Sequence, residues 1–299
     1  MGVDQTMTTI TSPQNPRVKN AARLRHGRHR QKQGRILIDG VRELSRAIAA
    51  GVVLQEIFVC EKLCRGEQQQ QLLDKLPDCG AEILQVDKRL FERLAFGHRG
   101  EGVLAVAETP GCALDDLTLP DAPLIPGSPL IAVLEGVEKP GNVGAVLRSA
   151  DAAGVSALIV ADGGTDLYNP NAVRASLGTI FTVPLCAATA EETLDWLRRM
   201  DLAIVAARVD GSVSYTEIDY GRPTAIVLGS ESEGLSAAWS ADDVTAVRLP
   251  MLGVADSLNV SVTAAVVFYE ALRQFSSLDS NRCFSDTPPR REARNSRDA

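Results

Sequence analysis

Aromatic residues are sparse in this chain, histidines sparser, and no stretch stays apolar for long. Aromatics make up 4% of 299 residues, with only three histidines and six cysteines. The cysteines (Cys60, Cys64, Cys79, Cys112, Cys186 and Cys283) stand apart without a Cys-x-x-Cys pair. A zinc site needs clustered Cys or His ligands, so no metal is expected. Cysteines without a disulfide framework suit a reducing compartment, and the cytoplasm is the expected location. No run approaches the ~20 apolar residues of a membrane helix, so no membrane partner is expected. The opening "MGVDQTMTTITSPQNPR" lacks the apolar core of an export signal.

Other absences narrow the chemistry. There is no G-x-x-x-x-G-K-[ST] phosphate loop, no G-x-G-x-x-G after an early strand, and no G-x-S-x-G elbow. Nucleoside triphosphate, dinucleotide and serine-hydrolase sites are therefore not supported. His98, in "FGHRGEG", is a lone loop histidine, a pattern that suits a structural or exposed residue better than a catalytic base.

What the chain does have is the composition of a globular protein, 45% hydrophobic and 23% charged, long enough for two domains. Its net charge of −7 conceals an asymmetry. From Pro13 to Arg46, ten Lys or Arg face two acids, a local excess of +8 that leaves −15 for the remainder. A basic segment on an acidic protein points to a polyanion-binding surface, with Arg23, Arg25, Arg28, Arg30 and Lys32 as candidate RNA contacts. A solvated helix face is the plainer alternative.

Strand and helix signals alternate from Thr9 to Glu108 ("RILIDG", "VRELSRAIAAG", "LQEIFVC", "AEILQV", "KRLFERLAF", "GVLAVAE"), which predicts a small α/β domain. Residues 109–129 hold five prolines and read as a linker. A second α/β domain is expected over 130–275, its strands being "LIAVLEG", "SALIVA", "IFTVPL", "LAIVAARV", "TAIVLG" and "VTAVRLP". Helices between most of them imply a mostly parallel sheet covered on both faces. Residues 1–8 and 276–299 are expected to be disordered.

Ligands of parallel sheets bind beyond the carboxyl ends of strands. Three loops there are rich in Gly and polar residues: "VEKPGNVGAVLRSADAAG", "GSESEGLS" and "LPMLGVADSLNVS". In the first, Asn142 is a candidate helix cap and Arg148 is expected in the helix's second turn. The third precedes the apolar helix "VTAAVVFYEALRQ", where Ser257 and Asn259 are both good N-cap residues, and on this stretch alone a capping role and a functional one stand level.

Together, in this order and context, "NVGAVLRSADAAG", "IVLGSESEGLS" and "LPMLGVADSLNVSVTAA" resemble the three motifs of the SpoU (TrmH) branch of the SPOUT superfamily of RNA methyltransferases. The N-terminal "ILIDGVRELSRAIAAG…LQEIFVCEKL" is similar to that family's accessory domain, which has the fold of small ribosomal RNA-binding proteins. The resemblance implies a trefoil-knotted C-terminal domain that binds S-adenosylmethionine, methylation of a ribose 2′-hydroxyl in RNA, and a homodimer formed through the C-terminal domain. Carried over by motif, Asn142, Arg148, Glu231, Ser257 and Asn259 are the catalytic candidates. Gly229, Leu249, Met251 and Leu258 are the cofactor contacts. Arg174, in "LYNPNAVRASLGTIF", resembles a segment near the RNA entrance, with a helix cap and turn as the alternative. Ribosomal RNA is favoured over transfer RNA. A non-catalytic RNA-binding or ribosome-assembly factor on the same fold is the rival reading, but it predicts losses among the catalytic candidates, and all five are present.

Overall fold

The computed structural model describes residues 8–96, 100–111, 113–117, 119 and 129–278. His98 and most of both expected disordered ends lie outside the described residues. The chain divides into two compact units. Of the described residues, one takes those up to Pro110 together with Tyr168–Thr182; the other takes those of Gly111–Leu167 and those from Val183 to Leu278.

The first unit is built from β1 (Thr8–Ile10), α1 (Pro16–Arg23), α2 (Gly27–Gln33), β2 (Arg35–Asp39), α3 (Val41–Ala49), β3 (Leu54–Val59), α4 (Glu67–Leu73), β4 (Glu82–Val86), α5 (Lys88–Leu94) and β5 (Val103–Glu108). Its sheet runs in the order β1-β4-β3-β5-β2, with β5 antiparallel to both neighbours and the other pairs parallel. Thr8, expected in the disordered start, is the first residue of β1. Helix α1 begins as its sequence dictates: the Asn15 side chain accepts from the Arg17 N–H at 2.9 Å, and Pro16 occupies the first turn, where a missing donor costs nothing. One face of the sheet buries Leu37, Phe58, Leu84 and Leu104 against Val18 and Ala21 of α1 and Leu90, Phe91 and Leu94 of α5. Each large apolar side chain so buried contributes about 1.5–3 kcal/mol.

The second unit holds β6 (Leu130–Glu135), α6 (Pro140–Ala153), β7 (Ala157–Ala161), then, after the excursion of α7 (Pro170–Ala175) into the first unit, β8 (Leu185–Ala188), α8 (Ala190–Arg199), β9 (Ala203–Ala207), β10 (Val213–Ser214), β11 (Thr224–Leu228), β12 (Val244–Arg248) and α9 (Val260–Leu278). The sheet is parallel throughout, in the order β10-β12-β9-β11-β6-β7-β8. Ile131 and Val133 of β6 join Leu194, Trp196 and Leu197 of α8 in one core layer. The alternate residues Leu130, Ala132 and Leu134 are as deeply buried, and α6 and α9, packed along each other, lie against β7 and β11. Burial of both faces explains why these strands read as unbroken apolar runs.

Three expectations need correction. "IFTVPL" is not a strand: Thr179–Phe181 form a 3-10 turn, and β8 starts only after Pro184. Leu177 and Gly178 both take left-handed φ, 55° and 87°, which reverses the chain before it can extend. The first part of the proline-rich interval is not a free linker, since Ala113 bridges to Ala187 and Leu114, Leu117 and Leu119 pack on the second core. Helix α9 continues to Leu278, past the expected end at 275. Among the described residues, no helix is long and apolar enough to cross a membrane, and no cluster of His, Cys, Asp and Glu could hold a metal ion.

Within the first unit, Asp39 closes β2 in an unusual setting. One of its carboxylate oxygens accepts from the Phe96 N–H, whereas the other is buried and has no hydrogen-bond partner. Burial pushes its pKa up to about 6; the Phe96 bond and the Arg174 charge oppose this, and Glu101 and Glu43 reinforce it. A carboxyl that holds its proton more tightly when folded stabilises the fold fully below about pH 4 and loses that contribution as pH rises through about 6. Asp39→Asn, neutral at every pH, should therefore raise stability at pH 7.5 by about 1–2 kcal/mol and leave it nearly unchanged at pH 4. Urea unfolding at the two pH values checks this; an equal effect at both would refute it.

Candidate active site

The loops after β6 and β11 emerge side by side because these strands are neighbours, with Leu134 paired to Leu228. The chain thus leaves β11 at Gly229 next to the point where β6 hands over to the loop entering α6. Gly229 is required there: a Cβ would lie 2.3 Å from the carbonyl carbon of Gly234. Ser230 and Gly234 close the loop with reciprocal backbone bonds of 3.1 Å, and Glu231 projects from its tip.

Asn142 donates from Nδ2 to Oε1 of Glu231. It is the third residue of α6, not its cap; Lys139 holds that position without a side-chain bond. Asn259 completes the group, its Nδ2 lying 3.4 Å from Glu231 Oε1 and 3.5 Å from Asn142 Oδ1. The other end of the Asn259 amide caps α9, where Oδ1 accepts from the Ser261 N–H at 3.0 Å and the Ser261 hydroxyl at 2.6 Å. Asn259 is therefore the N-cap, and Ser257, exposed in the preceding loop, is not. One carboxylate thus collects two amide groups from two helix starts.

Arg148 stands six residues beyond Asn142, roughly 120° around the helix and ~9 Å along it, in the third turn rather than the second. It is exposed and makes no hydrogen bond or ion pair among the described residues. Glu231 accordingly orients Asn142 and not Arg148. Leu249 and Met251 are half-buried beyond β12, and Leu258 is 38% exposed. Between Pro250 and Leu258, no backbone amide or carbonyl finds a partner among the described residues. The main-chain groups of this exposed loop are open to solvent, and the loop leads directly into Asn259.

The basic segment of the first unit splits in two. Arg23, Arg28 and Lys32 are exposed. Arg25 and Arg30 turn inward, which corrects their expected place on an RNA-facing surface. Arg25 Nη2 donates to the carbonyls of Arg93 (2.7 Å) and Ala95, while Arg30 is buried and donates to the Leu24 carbonyl at 2.6 Å. Arg174 likewise spends Nη1 on the Phe96 carbonyl. At His29 the pKa is lowered by local desolvation and then by the charges of Arg28, Arg23, His26 and Lys32, which marks a run of cations with no acid among them. Missed altogether were Glu135 and Ser236, although a charged residue ending the apolar run "LIAVLE" was a visible signal.

Known proteins resemble this chain over most of its length. The model of the SpoU rRNA Methylase family matches residues 129–269, and that of the MRM3-like substrate binding domain matches residues 15–105. The chain is 36% identical over 222 residues to the 23S rRNA (guanosine-2′-O-)-methyltransferase RlmB of Bordetella pertussis, covering 74% of this chain and 89% of the relative. A solved RNA 2′-O ribose methyltransferase superposes with a TM-score of 0.76 at 43% identity, covering 89% of this chain and 99% of that one. An AdoMet-bound rRNA methyltransferase from Sinorhizobium meliloti superposes at 0.78 with 28% identity, covering 89% and 98%.

The double use of Asn259 can be separated. Asn259→Ala removes the cap and should cost about 1 kcal/mol of stability. Asn259→Ser keeps a capping oxygen while deleting the amide near Glu231, so its unfolding midpoint should stay close to wild type. Equal losses of stability in both variants, measured by denaturant unfolding, would contradict the capping role.

Proposed function

Because the chain belongs to the SpoU rRNA methylase family, we propose that it transfers a methyl group from S-adenosylmethionine to a ribose 2′-hydroxyl of RNA, with ribosomal RNA as the substrate. The observation that carries this reading is the meeting of Asn142, Glu231 and Asn259 where the starts of α6 and α9 converge on the loop after β11. When bound, S-adenosylmethionine supplies a methyl group already activated by its sulfonium. Gly229, Leu249, Met251 and Leu258 would hold it, chiefly through backbone groups.

The remaining work falls to this chain's own side chains. Glu231 fixes the two amides by charge-assisted bonding, and the amides orient the ribose. Arg148, exposed and uncommitted, stabilises the 2′-oxygen as it loses its proton. A guanidinium stays charged at neutral pH, so it acts by electrostatics and not as the base. The Ser257 hydroxyl is free to hold the ribose or the arginine.

Arg23, Arg28 and Lys32 fit the RNA backbone, being exposed cations close in sequence with no acid between them. A homodimer through the second unit is supported by the apolar residues exposed on and before α9: Leu252, Val254, Val262 and Tyr269. In the same reading the segment before α9 threads through a knot. The enzyme works in the cytoplasm, in keeping with its free cysteines.

Purified protein, labelled S-adenosylmethionine and unmodified large-subunit rRNA or tRNA, followed by nucleoside mass spectrometry, tests the reading. The expected product is a 2′-O-methylnucleoside in rRNA. A methylated base, or methylation of tRNA alone, would overturn it. Arg148→Ala should lower transfer by about 100-fold or more, with cofactor affinity changed less than about three-fold. Full activity in that variant would remove Arg148 from the mechanism.

A further inference from the structure

Glu135 is the last residue of β6, a strand that is otherwise wholly apolar, and its side chain is buried at 5% exposure. Burying a carboxylate is costly unless its oxygens are satisfied. Here both are satisfied by a single residue. Oε2 accepts from the Ser236 N–H at 2.7 Å and Oε1 from the Ser236 hydroxyl at 2.6 Å. Ser236 is the residue at which the loop carrying Glu231 ends.

That loop is held at three other points. The Ser230–Gly234 backbone pair closes it, the Ser230 hydroxyl accepts from the Glu233 N–H at 3.1 Å, and Gly229 packs directly on Gly234. These contacts make the loop rigid within itself, but none of them ties it to β6. The bidentate grip of Glu135 on Ser236 does, and β6 is the strand that leads into Asn142. Leu235 seats the loop on the second core by packing, and the Glu135–Ser236 pair is, among the described residues, its hydrogen-bonded tie to β6 that fixes its orientation.

From this we infer that Glu135 is a positioning residue for the transfer reaction: by clamping Ser236 to the end of β6, it sets Glu231 at the distance from which it holds the amides of Asn142 and Asn259. The inference rests on the methyltransferase reading given above. It assigns a purpose to a buried charge that the reaction itself does not touch. It also explains why the loop ends in Ser, whose backbone and side-chain donors together match the two carboxylate oxygens.

The test is a double-mutant cycle on methyl transfer to large-subunit rRNA, using Glu135→Ala, Glu231→Gln and the combination. Glu135→Ala should lower kcat about ten-fold in the wild-type background and less than about two-fold in the Glu231→Gln background, as expected of residues acting through one network. Ser236→Ala, which keeps the backbone donor, should show the same pattern at smaller size and stands in should Glu135→Ala fail to fold. A second readout is independent of turnover: the Asn142 side-chain amide NMR signal should move in Ser236→Ala and Glu135→Ala toward its position in Glu231→Gln. Equal fold-losses in both backgrounds, or an unmoved Asn142 signal, would overturn the inference while leaving the methyltransferase reading intact. Absence of transfer by the wild-type protein would instead overturn that reading, and the NMR comparison would still decide whether Glu135 sets the Glu231–Asn142 contact.

Discussion

Parallel strands all end at the same edge of a sheet, and the candidate site depends on that constraint. Each parallel strand must be reached by a crossover that returns the chain to the opposite edge, so loops after successive strands collect on one side however far apart they lie in sequence. Here β6 and β11 are hydrogen-bonded neighbours although almost ninety residues separate Asn142 from Glu231, and their register sets the loops adjacent. The bonds among Asn142, Glu231 and Asn259 follow from that register. Shifting β11 by one residue would swap Leu228 from one buried face of the sheet to the other and carry Glu231 away from Asn142.

The same economy appears at α9. A helix start leaves backbone donors without partners, and one oxygen of Asn259 meets that need. The opposite end of the amide is thereby aimed at Glu231. The helix cap and the contact with Glu231 thus share one side chain. The rest of the loop, from Pro250 to Leu258, is largely exposed, so its main-chain groups face solvent.

The first unit shows how composition can mislead about surface. Five cations within ten residues of one another read as a single patch, yet Arg25 and Arg30 spend their guanidiniums on backbone carbonyls left open at helix ends. Arginine suits that duty because its planar donors remain charged and can serve more than one carbonyl. The exposed remainder, Arg23, Arg28 and Lys32, is smaller but unopposed by acids. Arg174 behaves similarly, pinned to Phe96 within the unit that Tyr168–Thr182 joins.

Much of this protein was legible in one dimension. Apolar runs announced the strands of a parallel sheet because both faces are buried, and Gly-rich polar loops after three of them announced a site because backbone must approach closely there. Five catalytic candidates could be named because those loops resemble the motifs of the SpoU family. What the sequence could not convey is which polar atom meets which. That Asn142 serves Glu231 and not its own helix, that Asn259 and not Ser257 caps α9, and that "IFTVPL" turns before it extends all depend on contacts made across the fold. Glu135 is the clearest case. Its charge at the end of an apolar strand was visible, but its partner lies about a hundred residues away, and only the pairing of β6 with β11 brings Ser236 to it. Local periodicity determines which elements form, because it is set by neighbours in the chain; strand register determines the site, because hydrogen bonds are decided by distances that exist only once the sheet has assembled.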